Sequence, residues 1–304
     1  MLDISVIILT YNEEKHIRRC IKNVISFAKE VFIIDSFSTD KTLEIAKEYD
    51  KVKILQNKWE NNHAKQFNWG LKHAPITTEW VLRLDADEYL LPELIQELRE
   101  KLPSLAPDIT GVLFNRRYIF MDKWIRGGIY PTKLLRLFRF GKGMCEQRQM
   151  DEHIQLFEGY TVELKHDMVD ENLNDLSWTL HKQINYAIRE AIDLLDIEMD
   201  LTKVGKTDVD KYIGKQAHSK RMKKHKYAHL PLFWRAFAFF CYRYILHGGF
   251  KDGKIGFLFH FMYSWWYRML VDAKILEIRK ACGRDNEKIR EHILTNYNID
   301  IDFI

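Results

Sequence analysis

The chain has 304 residues, 46% of them hydrophobic, with 47 Lys+Arg against 43 Asp+Glu. That length supports one large domain or two small ones, and ordinary apolar content with a net charge of only +4 excludes a disordered chain. The four cysteines (Cys20, Cys145, Cys241, Cys282) lie far apart with no C-x-x-C, which argues against a disulfide framework or a cysteine zinc site and fits a reducing compartment.

Residues 4–9 (ISVIIL) form a continuous apolar run, the mark of a strand buried on both faces. Asn12 is placed to cap a helix whose apolar face is Ile17, Cys20, Ile21, Val24, Ile25 and Ala28. A second strand is predicted over 31–34, then a helix capped by Ser38 or Thr39. A strand over 52–55, a helix over 63–73 and a strand over 80–84 follow. Pro92 suits the first turn of a helix carrying Ile95, Leu98 and Leu102. Strand–helix alternation repeated four times predicts an α/β fold with a mostly parallel sheet. Residues 111–120 and 133–140 read as strands separated by glycine and proline turns. Helix is predicted over 170–200, 208–245 and 256–281, the last two parted by a glycine-rich segment at 248–253. No signal peptide is expected from the first residues. The apolar runs near the C-terminus are too short or too interrupted (by Arg235 and Arg243) for a span, which needs about 20 apolar residues.

Polar residues gather where the predicted strands end: Thr10-Tyr11-Asn12-Glu13, Asp35-Ser36-Phe37-Ser38 and Asp85-Ala86-Asp87. Ligands of open parallel sheets bind at those carboxyl ends. In a D-x-D run both carboxylates can face one ligand, and such hard oxygens suit Mg²⁺ or Mn²⁺ beside substrate phosphates. Any one acidic strand end is as readily a helix cap; three on one edge are not.

These segments carry a resemblance. SVIILTYNEE at 5–14, IIDSFSTDKT at 33–42, KQFNWGL at 65–71 and WVLRLDADE at 80–88 occur in the order found in inverting family 2 glycosyltransferases. The likeness continues in RRYIFMDKWIRGGIYPTKLLRLF at 116–138, MDEHI at 150–154 and GGFKDGKIGFLFHF at 248–261, where the chain is similar to the bacterial lipopolysaccharide-core glucosyltransferase branch. It departs from the many members that carry glycine in the segment after the second strand. The Q-x-x-R-W motif of processive synthases is absent, which argues for one sugar added per acceptor.

The resemblance implies a GT-A fold with a catalytic domain over 1–205, split into a nucleotide-sugar-binding half (1–110) and an acceptor half (111–205), and a helical C-terminal region over 206–304. Thr10, Tyr11, Asn12 and Glu13 would line base and ribose, with Asp35 bonding the base (most often uracil) and Ser38 beside it. Lys65, Asn68, Asp85 and Ala86 would sit by the donor. Asp87, with Asp85 and His166, would hold the metal. The base would be Glu152 or Asp151, with Glu152 favoured. Arg116, Arg117, Trp124, Arg126 and Arg136 would meet the acceptor, since arginine forks suit phosphate or carboxylate and tryptophan suits a sugar face. For Lys65, His166 and the acceptor residues, an ordinary structural role competes.

Residues 211–251 hold ten Lys/Arg and no acid, and residues 227–267 hold 16 of the 40 aromatics. Basic, aromatic helices of this kind lie in membrane interfaces. Lys220, Arg221, Lys223, Lys224 and Trp234 are the expected contacts with an anionic membrane, placing the chain peripherally on the inner face of the bacterial cytoplasmic membrane. Packing against the catalytic domain and a homodimer interface compete; no nucleic-acid motif accompanies the patch. Two further classes were weighed: a sugar nucleotidyltransferase, disfavoured because no glycine-rich loop follows the first strand, and a non-catalytic membrane-tethered scaffold, disfavoured by the retained acids.

Overall fold

In the computed structural model, residues 1–60, 62–146, 153–202, 215–299 and 301 are described, with backbone alone over 215–221. They form two compact units. The first comprises 1–126, 130–146 and 153–174; the second comprises 127–129 and the described residues from 175 onward.

The first unit runs β1 (Leu2–Thr10), α1 (Ile17–Val24), β2 (Ala28–Asp35), α2 (Thr42–Lys47), β3 (Val52–Gln56), α3 (His63–His73), β4 (Trp80–Asp85), β5 (Glu88–Leu90), α4 (Pro92–Lys101), β6 (Ile109–Phe120), β7 (Lys123–Ile125), β8 (Lys133–Arg139), β9 (Gly143–Cys145), β10 (Ile154–Leu156) and β11 (Tyr160–Glu171). The main sheet is ordered β3-β2-β1-β4-β8-β6-β11-β5, with β7 beside β6. β3, β2, β1 and β4 pair in parallel, whereas β8 enters antiparallel to both β4 and β6. The apolar run of β1 is explained by its two covered faces. Ile4, Val6 and Ile8 pack with α1 and α4, while Ile7 packs on the other side with Phe67 of α3.

Local details differ from the sequence pattern. Asn12 does not cap α1: its backbone is left-handed (φ 56°), and its side chain instead accepts from Thr39 N at 2.8 Å. Ala28 opens β2 rather than closing α1. The N-cap of α2 is Lys41, without a side-chain cap bond, rather than Ser38 or Thr39; Asp40 just before it accepts from Thr42 N at 2.9 Å.

The second unit runs α5 (Leu176–Met199), α6 (Lys215–Ala228), α7 (Trp234–Cys241), α8 (Gly253–His260), α9 (Tyr267–Cys282) and α10 (Asn286–Tyr297), with wide π turns over Tyr242–Leu246 and Phe261–Trp266. The helix expected over 208–245 is interrupted after α6, where Pro231 cannot supply a helical N–H. The 205 boundary moves to 175, because Ala187, Ala191, Leu194 and Leu195 of α5 pack with Val271, Ile275 and Ile278 of α9. Arg235 and Asp272 are fully buried together, Nη2–Oδ1 2.5 Å. Gly127–Ile129 belongs to this unit. Gly127 N donates to Asp252 at 2.7 Å, and a Cβ on Gly127 would stand 2.2 Å from Gly248 O, so only glycine fits.

Candidate active site

The register brings three strand ends side by side. Thr10 pairs with Asp35, and Leu9 with Asp85, so the carboxyl ends of β2, β1 and β4 make one edge. The loops after β1 and β2 are bonded together. Asn12 N donates to Ser38 Oγ at 2.9 Å, and Glu13 N to Thr42 Oγ1 at 2.7 Å. Glu13 Oε2 lies 2.6 Å from His16 Nδ1. Tyr11 and Phe37 are left outward, 60% and 54% exposed.

Asp35 is fully buried and already satisfied. Its carboxylate accepts from Thr10 Oγ1 (3.0 Å), Ser38 Oγ (2.5 Å), Ser38 N (3.0 Å) and Gln56 Nε2 (3.2 Å). In this arrangement it organises the loop, and bonding to a base requires some of these partners to be exchanged. Asn68 is likewise spent: its amide donates to Cys145 O at 2.7 Å and accepts from Cys145 N at 2.9 Å, which ties α3 to β9. Lys65 stays half-exposed, 3.6 Å from Glu60.

The D-x-D run splits into two environments. Asp85 Oδ2 is 3.2 Å from Arg136 Nη2, and the same nitrogen donates to Glu88 Oε1 at 2.6 Å. Arg136 is therefore a buried counterion of the metal motif, not an acceptor contact. Burial works to raise the Asp85 carboxyl, but Arg136, Arg83 and His63 outweigh it and hold it below the usual carboxylate range. Glu88, almost wholly buried, goes the other way. Burial, with Asp85 and Asp170 adding to it against Arg136, pushes it up to about 8. Asp170 is the cross-strand neighbour of Glu88 in the β11–β5 pair. Burial, opposed by Arg116 (3.1 Å away) and aided by Asp87 and Asp85, raises it to about 6. The sequence alone assigns no role to Glu88 or Asp170. Glu88 was visible as the last letter of the motif; Asp170 was not, because only the β5–β11 pairing brings it there.

Asp87 is the carboxylate of this cluster outside the arginine pairs among the described residues; its Oδ2 accepts from Asn172 Nδ2 at 3.0 Å. His166 is turned elsewhere. Its ring and backbone N both bond Glu97 of α4, at 2.9 and 3.1 Å. Among the described residues no group of three or more His, Cys, Asp or Glu stands ready to hold a metal ion, so the Asp85–Asp87–His166 set is not assembled.

In the acceptor half, Arg116 is paired to Asp170 and Arg117 Nε to Asp167 at 2.6 Å. Arg117 and Arg126 lie over the Trp124 ring, 4.2 and 4.0 Å from its centroid, and Tyr130 meets it edge-on. The guanidiniums occupy the surface on which a sugar was expected to stack. Asp151 and Glu152 lie outside the described residues, as do the side chains of Lys220 and Arg221. In the second unit, Lys224 does not reach outward but pairs with Asp193 (2.7 Å) and Glu190 (3.3 Å), whereas Lys223 and Trp234 are exposed.

A mostly parallel sheet with an acidic D-x-D at a central strand end offers a ligand edge at its carboxyl side. Residues 5–161 match the family described as Glycosyl transferase family 2. The chain belongs to that family. It is 27% identical over 298 residues to an uncharacterized glycosyltransferase of Rickettsia bellii, covering 92% of this chain and 88% of that one. It is 29% identical to the lipopolysaccharide core biosynthesis glycosyltransferase LpsC of Rhizobium meliloti, over 49% of this chain and 55% of LpsC. The chain spans only 19% to 55% of the length of the first curated relatives it matches. The mannosyltransferase PcManGT of Pyrobaculum calidifontis, solved in complex with GDP-Man and Mn²⁺, superposes with a TM-score of 0.52 at 15% identity, over 90% of this chain and 87% of that one. The fold is thus GT-A, with a helical C-terminal region. No helix among the described residues is long and apolar enough to cross a membrane.

Proposed function

We propose that the chain moves one hexose, with inversion, from a nucleotide sugar (UDP-linked) to a lipid-linked saccharide or lipopolysaccharide-core acceptor, at the inner face of the bacterial cytoplasmic membrane. The observation that carries this reading is the edge where Thr10, Asp35 and Asp85 stand in register. A relative whose name places it in lipopolysaccharide core synthesis supports the acceptor class.

The donor set fits a hard divalent ion in part. Asp87 offers carboxylate oxygen outside the arginine pairs, which suits Mg²⁺ or Mn²⁺ completed by diphosphate oxygens; His166, held by Glu97, does not contribute. Bound there, the ion would offset the charge that builds on the leaving diphosphate. The chain's own residues prepare this. Arg136 takes up Asp85 and Glu88 together, so these carboxylates do not repel the donor phosphates in full. Thr10, Tyr11, Asn12, Glu13 and Ser38 line the nucleotide, with Tyr11 and Phe37 the exposed rings beside it. Lys65 sits on the first turn of α3. Asp151 or Glu152 would take the proton of the acceptor hydroxyl.

A thermal-shift screen of UDP- and GDP-sugars with and without Mn²⁺ tests the donor. A metal-dependent rise with a UDP-sugar is expected. No rise with any nucleotide sugar, or full donor turnover by Asp87→Ala, would overturn the reading.

A further inference from the structure

The second unit carries an apolar surface that its own core does not use. Phe237, Ile245, Leu246, Phe250, Phe257 and Phe261 are all exposed, Leu246 by 76%. They are not scattered. Ring contacts run from Phe237 to Trp265 (5.2 Å), Trp265 to Phe261 (5.9 Å), Phe261 to Phe257 (6.2 Å), Phe257 to Tyr244 (5.6 Å) and Tyr244 to Phe250 (6.4 Å). The exposed rings therefore form one ridge, and Ile245 and Leu246 are exposed on the π turn that carries Tyr244. Trp234, 74% exposed, lies one turn before Phe237 on α7. Contiguous exposed apolar surface marks an interaction site, while single exposed residues do not.

Charge identifies the occupant. Between 211 and 271 the only acid in the sequence is Asp252, and it is buried and bonded to Gly127 N. Lys251 and Lys254, flanking Phe250 and Phe257, are exposed, as are Lys223 and Lys226 of α6. An aromatic and aliphatic ridge beside lysines, with no exposed acid among the described residues of 222–271, complements an anionic lipid surface. Rings enter the headgroup–acyl boundary and ammonium groups meet the phosphates. The helix once expected to do this, around Lys224, is tied by that lysine to Glu190 and Asp193.

We infer that the ridge from Phe237 to Phe261, with Lys251 and Lys254, is a docking surface for anionic membranes. The inference deepens the proposed lipid-linked acceptor but does not depend on turnover.

Flotation of the full chain with vesicles of phosphatidylglycerol and phosphatidylcholine tests it. Wild type should float, and float less with phosphatidylcholine alone. Phe250→Ser with Phe257→Ser should weaken binding at least about tenfold, since each ring removed forfeits apolar burial. Lys251→Glu with Lys254→Glu, which leaves the rings in place, should weaken it only for the anionic vesicles. Both variants should keep donor hydrolysis in solution, so that loss of docking is separated from loss of the transfer site. Unchanged flotation of both variants overturns the inference. So does a wild type that never floats but elutes as a dimer which the serine variant splits.

Discussion

The two units handle charge in opposite ways. The acidic edge of the first buries carboxylates beside too few cations. Asp85, Glu88 and Asp170 share Arg136 and Arg116, and burial leaves Glu88 and Asp170 protonating far above their usual range. The second unit sets buried acids against cations. Asp272 serves Arg235, and Glu190 serves Arg268 and Lys224. Lys223, Lys226, Lys251 and Lys254 are left on the surface. A net charge of +4 averages a site able to attract a cation and a surface able to attract anions. The difference teaches that pairing, not composition, decides what each surface offers.

The largest expected effect tests the acidic side. Asp87→Ala should cut donor turnover by roughly 10²–10³-fold, the scale seen when one group stabilising developing charge is lost. Thermal stability should change little, because among the described residues the Asp87 carboxylate has Asn172 alone as a hydrogen-bond partner. Turnover assays at saturating Mn²⁺, beside a melting curve, check both halves. Breaking the other side's pairing should act on stability instead. Asp272→Ala strands the Arg235 guanidinium and frees Phe233 N, which now donates to Asp272 Oδ2 at 2.7 Å. A loss of about 3–5 kcal/mol is expected, read by chemical denaturation. If Asp272→Ala costs less than about 1 kcal/mol, the buried pair is not what holds the unit together.

Acid and alkali should separate the regions by sign. Glu88 binds its proton more tightly folded than unfolded. Between its ordinary range and about pH 8 the folded state holds more protons, so its contribution to stability falls as pH rises. His260 is the reverse. Burial, with Arg243 adding, lowers it to about 4, so the unfolded state binds the proton first and stability falls as pH drops from about 6.5 towards 4. Its neutral ring donates Nε2–H to Gly127 O at 3.0 Å. Glu88→Gln should flatten the fall in stability from the ordinary carboxylate range up to about pH 8, and His260→Gln the fall from about 6.5 down towards 4, each by on the order of a few kcal/mol at most. Melting temperatures across pH 4–9 read both, and a shared slope lost in neither variant would contradict the assignment.

Much of the first unit can be read from sequence because its signals are local. Continuous apolar runs gave β1 and β4, and the spacing of Ile17, Cys20, Ile21 and Val24 gave α1. The three-residue strands β5, β7, β9 and β10 have no period to detect, yet β5 places Glu88 against Asp170. Arg136 looked like an acceptor residue because its chain position lies in the acceptor half; only the antiparallel insertion of β8 beside β4 brings it to Asp85. The bonds of Asn68 and His166 were hidden for the same reason: their partners, Cys145 and Glu97, lie about 70 to 80 positions away in sequence. In the second unit, α10 escaped notice although Asp285 caps it and Ile289 and Ile293 repeat at helical spacing. The spacing was present, but without flanking apolar residues it was too short to stand out.

The smallest effect concerns one strained phenylalanine in each unit. Phe37 and Phe233 both have left-handed backbone, φ 59° and 68°, a conformation that costs a residue with a Cβ about 1–2 kcal/mol. What holds them differs. Phe233 is fixed by its N–H to Asp272, and its ring is half-buried. Phe37 has an exposed ring, and the loop around it is held by Ser38 and Asp35 rather than by Phe37 itself. Glycine there removes the strain, loses little packing, and adds unfolded-state freedom that offsets part of the gain. Phe37→Gly should therefore stabilise the chain by about 1 kcal/mol or less, while Phe233→Gly should destabilise it because buried ring surface is lost as well. If the exposed ring instead serves the nucleotide, Phe37→Gly will weaken donor affinity while stability rises. A rise of KM together with a rise of melting temperature in that variant distinguishes a ring kept for binding from one that merely tolerates the turn.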